Sequence, residues 1–321
     1  MDVSTLKPRR RGPRRYLLGG FVFLGSLLPL FVLAHRALDR LAPSGGWLET
    51  TWGEHGSRPG QLHKPRAMAI DAEDRLYIVD KTARIQVFDR EGNLLHGWQT
   101  PVWQNGKPTG LSFDHQGHLL VADTHYFRVL KYQSDGTLLD EQTLGGTFGE
   151  GPGMFGLVTD AVTDSHGNIY VAEYGDYDRI QKFSANGDFL FQWGGHGSQP
   201  GQFIRPQNLA VDEHDHLWVV DACNDRIQVF DATGSTAELR RIWGERGSEL
   251  GQLRYPYDLV LGDDGFVYVC EFGNHRIQKL TRDGQPIAAW GTHGRGPGEM
   301  SNPWALVQDR RGRIHVLDTY N

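Results

Sequence analysis

The sequence predicts an all-β fold, a six-bladed β-propeller of four-stranded antiparallel blades, preceded by an N-terminal transmembrane helix. Three observations carry this expectation. The stretch "RIQVFD" stands at 84–89 and again at 226–231, with near copies at 128–132, 179–183 and 276–280. An acid closes each of six runs like "LWVVD", at Asp80, Asp123, Glu173, Asp221, Glu271 and Asp318, with spacings of 43, 50, 48, 50 and 47 residues. The first 45 residues hold eight Lys/Arg and an uncharged run of 19 residues, Tyr16 to Ala34.

From the N-terminus, residues 1–15 read as a basic cytoplasmic segment and 16–35 as a transmembrane helix or signal anchor. At 1.5 Å rise per residue the uncharged run spans about 28 Å, close to the ~30 Å hydrocarbon core of a bilayer. Arginines on the cytoplasmic side then send the linker, 36–46, and all that follows out of the cytoplasm, to the periplasm or cell surface. A cleaved signal peptide ending at "VLA", 32–34, is the rival, and the length of the run favours the uncleaved anchor.

Residues 47–321 read as the propeller. In the fourth unit "NLAVD", "LWVVD", "RIQVFD" and "LRRIW" are short strands rich in Val, Ile, Phe and Trp, separated by polar turns. The 41 glycines follow no collagen period and fit many tight turns. A four-stranded unit of this size cannot bury both faces alone, so the units pack side by side around a channel. The acid ending each second strand and the Arg opening the third (Arg84, Arg128, Arg179, Arg226, Arg276) are placed to pair across the turn between them. Six second strands are present but only five third strands. "WLETTW", 47–52, aligns with the outer strands, so it is expected to close the last blade, whose missing third strand points to truncation at Asn321.

Composition excludes some functions. Two cysteines, Cys223 and Cys270, make no disulfide framework or zinc cluster and are expected as buried free thiols. After residue 45 there are 25 Lys/Arg against 37 Asp/Glu, a net charge of −12 that repels phosphate backbones, so no nucleic-acid partner is expected.

The pattern "WG.HGS.PGQ...P...AVD....LWVVD...DRIQVFD" closely resembles the NHL repeat, over roughly 270 residues and in the membrane-anchored bacterial form. The resemblance implies a six-bladed propeller with diverse uses: protein- and RNA-binding modules, extracytoplasmic sensor domains, and a zinc-dependent lyase acting on peptidyl-hydroxyglycine. In that lyase, as the resemblance implies, His residues just after the Pro of the inner strand hold zinc. The matching positions here are Arg66, Thr109, Thr159, Gln207, Tyr257 and Trp304, none of them His. His55, His196 and His293 recur in "WGxHG" loops and read as turn residues of separate blades. Asp160, Asn208 and Asp258 share one inner-strand position and are the candidate oxygen ligands for a metal. The competing reading is that each caps a strand start.

The expected function is a membrane-tethered, extracytoplasmic binding module, taking a protein, peptide or glycan through its loop face without catalysis and without a cofactor. The candidate ligand-binding residues are Arg66, Lys107, Arg205, Arg254, Tyr255, Tyr257 and Trp304, since exposed aromatics beside Arg are the usual chemistry of a binding hot spot. The alternative is a Ca- or Zn-dependent lyase or hydrolase at the channel mouth.

Overall fold

The computed structural model describes residues 48–320. Five four-stranded antiparallel sheets follow one another along the chain. Blade one is Ala67–Ile70, Leu76–Val79, Arg84–Phe88 and Leu94–Gln99. Blade two is Gly110–Phe113, Leu119–Asp123, Arg128–Tyr132 and the short Leu144–Gly145. Blade three is Leu157–Thr163, Ile169–Tyr174, Arg179–Phe183 and Phe189–Gly194. Blade four is Pro206–Val211, His216–Asp221, Arg226–Asp231 and Glu238–Trp243. Blade five is Pro256–Leu261, Val267–Glu271, Arg276–Leu280 and Pro286–Trp290.

The expectation of six four-stranded blades is corrected to five. The remaining place in the ring holds a two-stranded sheet, Pro303–Gln308 with Ile314–Asp318. The two strands present already pack on both neighbours. Side chains of a strand alternate between faces, so Leu76 and Ile78 pack toward the two-stranded sheet while Tyr77 and Val79 pack toward blade two. Each boundary between neighbours has its own apolar cluster, and the two-stranded sheet contributes to both of its boundaries through Leu306 on one side and Ala305, Val307 and Leu317 on the other. Polar bonds close the same seam: Thr319 Oγ1 donates to Pro65 O at 2.8 Å, and Arg310 N–H to Asp74 at 3.0 Å.

Residues 48–53 form no strand, so the expected closing strand from "WLETTW" is also corrected. Trp52 nevertheless packs as an outer-strand Trp does. Its ring lies where a Cβ on Gly92 would be, 2.4 Å away, just as Trp98 lies 2.6 Å from the corresponding point on Gly136. Both glycines have positive φ, at 87° and 92°, so the turn and the ring together require the missing side chain.

The expected acid–Arg pairs all form: Asp80–Arg84 at 2.7 Å, Asp123–Arg128 at 2.9 Å, Glu173–Arg179 at 2.7 Å, Asp221–Arg226 at 2.8 Å and Glu271–Arg276 at 2.6 Å. Both cysteines are free; Cys270 is buried as expected, whereas Cys223 is exposed.

The single-pass placement with an extracytoplasmic propeller is corrected as well. Among the described residues no helix is long and apolar enough to cross a membrane. The segment assigned to the span, 16–35, and its flanks 1–15 and 36–46 lie outside the described residues.

Candidate functional site at the channel mouth

Four inner strands start with a forced bend. Lys64, Arg205, Tyr255 and Asn302 each precede a proline and have φ of 49°, 59°, 45° and 63°. A left-handed residue before Pro is disfavoured, so surrounding bonds must hold it there. For three of the four, the neighbouring blade supplies them. Arg205 N–H donates to Asp178 Oδ1 at 2.8 Å, Tyr255 N–H to Asp225 Oδ1 at 2.7 Å, and Asn302 N–H to His275 Nδ1 at 3.1 Å. The residues just after the prolines, Arg66, Gln207, Tyr257 and Trp304, then line a central cavity of about 190 Å³ together with Thr109. Asp160, Asn208 and Asp258 line the same cavity one residue further along.

One side of the mouth is aromatic. Tyr257 stacks on Phe272 with centroids 4.6 Å apart, and Trp304 meets Tyr257 edge-on at 4.8 Å. The guanidinium of Arg66 lies 4.0 Å over the Trp304 ring, and that of Arg205 lies 5.0 Å from Tyr174 and 5.3 Å from Tyr257. Tyr257 and Trp304 are each only 9% exposed. They are walls of the mouth, which corrects the expectation of exposed anchors. Tyr255 is half-buried against the blade four–five core, and Arg254 is exposed on the rim.

The charge around this mouth is unusual. Among the described residues nine Lys and Arg side chains have no carboxylate within ion-pair distance; six of them, Lys64, Arg66, Lys81, Lys107, Arg205 and Arg254, stand around this mouth, and Arg58 and Arg295 lie on loops of the same face. Burial pushes the Lys107 ammonium below its ordinary range, and the charges of Arg66 and Lys81 push it the same way. His125 is lowered by burial and then by Lys107. Arg66 Nε is buried with no hydrogen-bond partner. Sequence reading missed Lys81, which directly follows the acid of its blade and could have been found by asking which turn cations lack an acid at pairing distance.

Asp160, Asn208 and Asp258 do come together, as links between blades. Asp160 Oδ2 accepts Asn208 Nδ2 and Leu209 N–H, both at 3.0 Å; Asn208 Oδ1 accepts Leu259 N–H at 3.2 Å; Asp258 Oδ2 accepts Leu306 N–H at 2.8 Å. Each therefore fastens its inner strand to the next one. Asp160 Oδ1 has no partner and sits 2.7 Å from where a Cβ on Gly110 would be, so any larger residue at 110 would collide with it. Burial raises the Asp160 carboxyl to about 7, and burial, with the charge of Asp160 adding to it, raises Asp258 well above the usual carboxylate range.

The metals implied by the resemblance can be tested on these side chains. No group of three His, Cys, Asp or Glu among the described residues could hold a metal ion. The single side-chain oxygen of Asn208 and one oxygen each of Asp160 and Asp258 already hold neighbouring backbone N–H groups. The residues present do not fit a resident zinc or calcium ion. His196 is instead bonded to Asp178 at 2.6 Å, and His293 packs on His275 at 4.4 Å, consistent with turn roles.

Comparisons with known proteins recover the propeller and its repeat. The NHL repeat profile matches residues 203–230 and 253–280. Two NHL repeats are thus matched, one in blade four and one in blade five, within a β-propeller. It is 38% identical over 181 residues to the peptidylglycine alpha-amidating monooxygenase of Rattus norvegicus, a match covering 53% of this chain and 17% of that protein. It is 30% identical over 184 residues to NHL repeat-containing protein 3 of Homo sapiens, covering 51% of each. The chain thus spans about a sixth of the amidating monooxygenase and half of the second relative. A gluconolactonase from Xanthomonas campestris shares the fold with a TM-score of 0.61 at 13% identity, over 81% of this chain and 84% of that one.

Proposed function

We propose that this propeller is a binding module for an anionic ligand, and that the ligand is a peptide whose C-terminal carboxylate enters the channel mouth. The observation that supports this most strongly is the gathering of six unpaired cations around the channel mouth of a domain that carries net negative charge. Unpaired, partly buried cations at close quarters repel one another, and a bound anion relieves that cost. Arg66, lying over Trp304, offers an unengaged Nε, and Lys107 and Lys81 stand within electrostatic reach. Tyr257 and Trp304 supply a rigid apolar wall for the residue before the carboxylate. The relatives named for peptidylglycine are consistent with a peptide end at such a mouth. A metal-dependent lyase or hydrolase is not the reading these side chains support.

Calorimetric titration of the full chain with short acetylated peptides, each made as the free acid and as the C-terminal amide, tests this. The acid should bind at least about tenfold tighter, since charge-assisted bonds to Arg are roughly twice as strong as neutral ones. The preference should shrink as salt rises and vanish in Arg66→Gln. Equal affinity for acid and amide, or no saturable binding of either, sinks the proposal.

A further inference from the structure

Blade two departs from the others in the loop that leads into its inner strand. In blades one, three, four and five, the Arg that opens the third strand takes a backbone carbonyl from that loop: Gln61 O at 3.1 Å, Met154 O at 3.1 Å, Gln202 O at 2.9 Å and Gln252 O at 3.0 Å. Two residues later the same loop donates a backbone N–H to the paired acid: His63 to Asp80, Gly156 to Glu173, Ile204 to Asp221 and Arg254 to Glu271. A Gln on the third strand, such as Gln228, shares the carbonyl.

In blade two, residues 100–107 fold on themselves instead. Gly106 N–H, which holds the place of His63, donates to Trp103 O at 3.3 Å, and Asn105 N–H donates to Tyr126 at 2.8 Å. The Gln is replaced by Leu130, fully apolar and 1% exposed. Arg128 keeps a single bond, Nε to Asp123 Oδ2 at 2.9 Å. Its second terminal nitrogen, Nη2, and Asp123 Oδ1 are both buried with no hydrogen-bond partner, and Asp123 is 0% exposed. Substitution of Gln by Leu130 removes the one side chain the altered loop would strand, yet the donor and the acceptor on either side of it remain.

The geometry points to a second binding site at blade two, where an extended segment of a partner protein lends a backbone carbonyl to Arg128 and, two residues on, a backbone N–H to Asp123. This reproduces in trans what the chain's own loops do four times in cis. A donor and an acceptor side by side select peptide backbone: a free anion suits Arg128 but is repelled by Asp123, and a cation meets the reverse. Apolar anchors flank the place. Trp103 and Phe148 are each 49% exposed, and Phe148 packs on Phe127, the neighbour of Arg128. The inference stands apart from the reading of the channel mouth, which involves neither Asp123 nor Arg128.

A display library of random nine-residue peptides, each fused at its C-terminus so that none presents a free carboxylate to the channel mouth, is selected on the full chain and supplies the probe. Selected peptides should bind Arg128→Lys about tenfold or more weakly, because lysine keeps the ion pair with Asp123 but loses the fork that reaches a carbonyl. They should bind Arg226→Lys unchanged, because in blade four the chain's own loop holds that place. Thermal unfolding gives the second readout: Arg226→Lys should lower the midpoint clearly and Arg128→Lys much less. Failure to select any peptide, or peptides indifferent to Arg128→Lys, overturns the inference. So does an equal loss of stability in the two variants, which would mean that residues 100–107 take up the bonds themselves in solution.

Discussion

Replacing Arg179 by alanine should destabilise the propeller by about 3–5 kcal/mol, the range found when one partner of a buried ion pair is removed. Arg179 is 5% exposed and Glu173 0%. The guanidinium bonds Glu173 at 2.7 Å, Glu150 O at 2.6 Å, Gln192 at 3.0 Å, Gly149 O at 3.2 Å and Met154 O at 3.1 Å. Its loss leaves Glu173 without its cation and the carbonyls of Gly149 and Glu150 without a donor, while Met154 O keeps Gln181, so it loosens blade three at both its second strand and its leading loop. Burial is the largest influence on Glu173 and raises its carboxyl even with Arg179 in place. Without the Arg it will take up a proton more readily, and the loss should therefore shrink at acid pH. Guanidinium denaturation at pH 7.5 and at pH 5, with unchanged slope, measures both effects. A loss below about 1 kcal/mol would contradict this account of the frame.

Asp160 should make the protein less stable as pH rises from about 4 to about 7, against the usual trend for carboxylates. Its folded carboxyl is raised to about 7, and the unfolded value is about 3.9. Between these values the native state holds a proton that the unfolded state has released, so stability is full below the unfolded value and falls as pH climbs through the folded one. Three pH units correspond to roughly 4 kcal/mol at the limit. Asp258 shifts in the same direction and should steepen the fall. Asp160→Asn keeps an acceptor for Asn208 and Leu209 and stays neutral, so its stability should be flatter with pH and should exceed the wild type's at pH 8. The difference between the two stability curves at pH 5, 6, 7 and 8 is the readout. Identical slopes would show that Asp160 is ionised in the fold. Calcium that restored the wild type at pH 8, and not the variant, would show that these carboxylates hold an ion after all.

The frame was legible because it repeats. The acid at the end of strand two and the Arg four to six residues later must meet across a turn, so their spacing announces each blade. The blade count was not legible in the same way. Pro303–Gln308 and Ile314–Asp318 repeat the first two strands of a blade, and that repeat does not say whether two outer strands are paired to them. Tyr257 and Trp304 illustrate a second limit. Their burial comes from a stack with Phe272 and Arg66 that joins residues of three sectors of the ring, and nothing local to either position signals it. Asp160, Asn208 and Asp258 were found by register, but a shared register cannot distinguish oxygens that converge on an ion from oxygens that each reach the next strand. Blade two carried a readable signal, Leu130 in the slot of Gln86, Gln181, Gln228 and Gln278, whose meaning depends on knowing which carbonyl those glutamines hold.

The central claim is that the cations of the channel mouth are left unpaired for a ligand. Lys107→Met tests it most directly, because stability and binding should then move in opposite directions. Removing a half-buried ammonium that repels Arg66 and Lys81 should raise the stability of the ligand-free protein by about 1 kcal/mol, while the free-acid peptide binds about tenfold more weakly. A variant that is less stable than the wild type and binds the peptide equally well would contradict the claim.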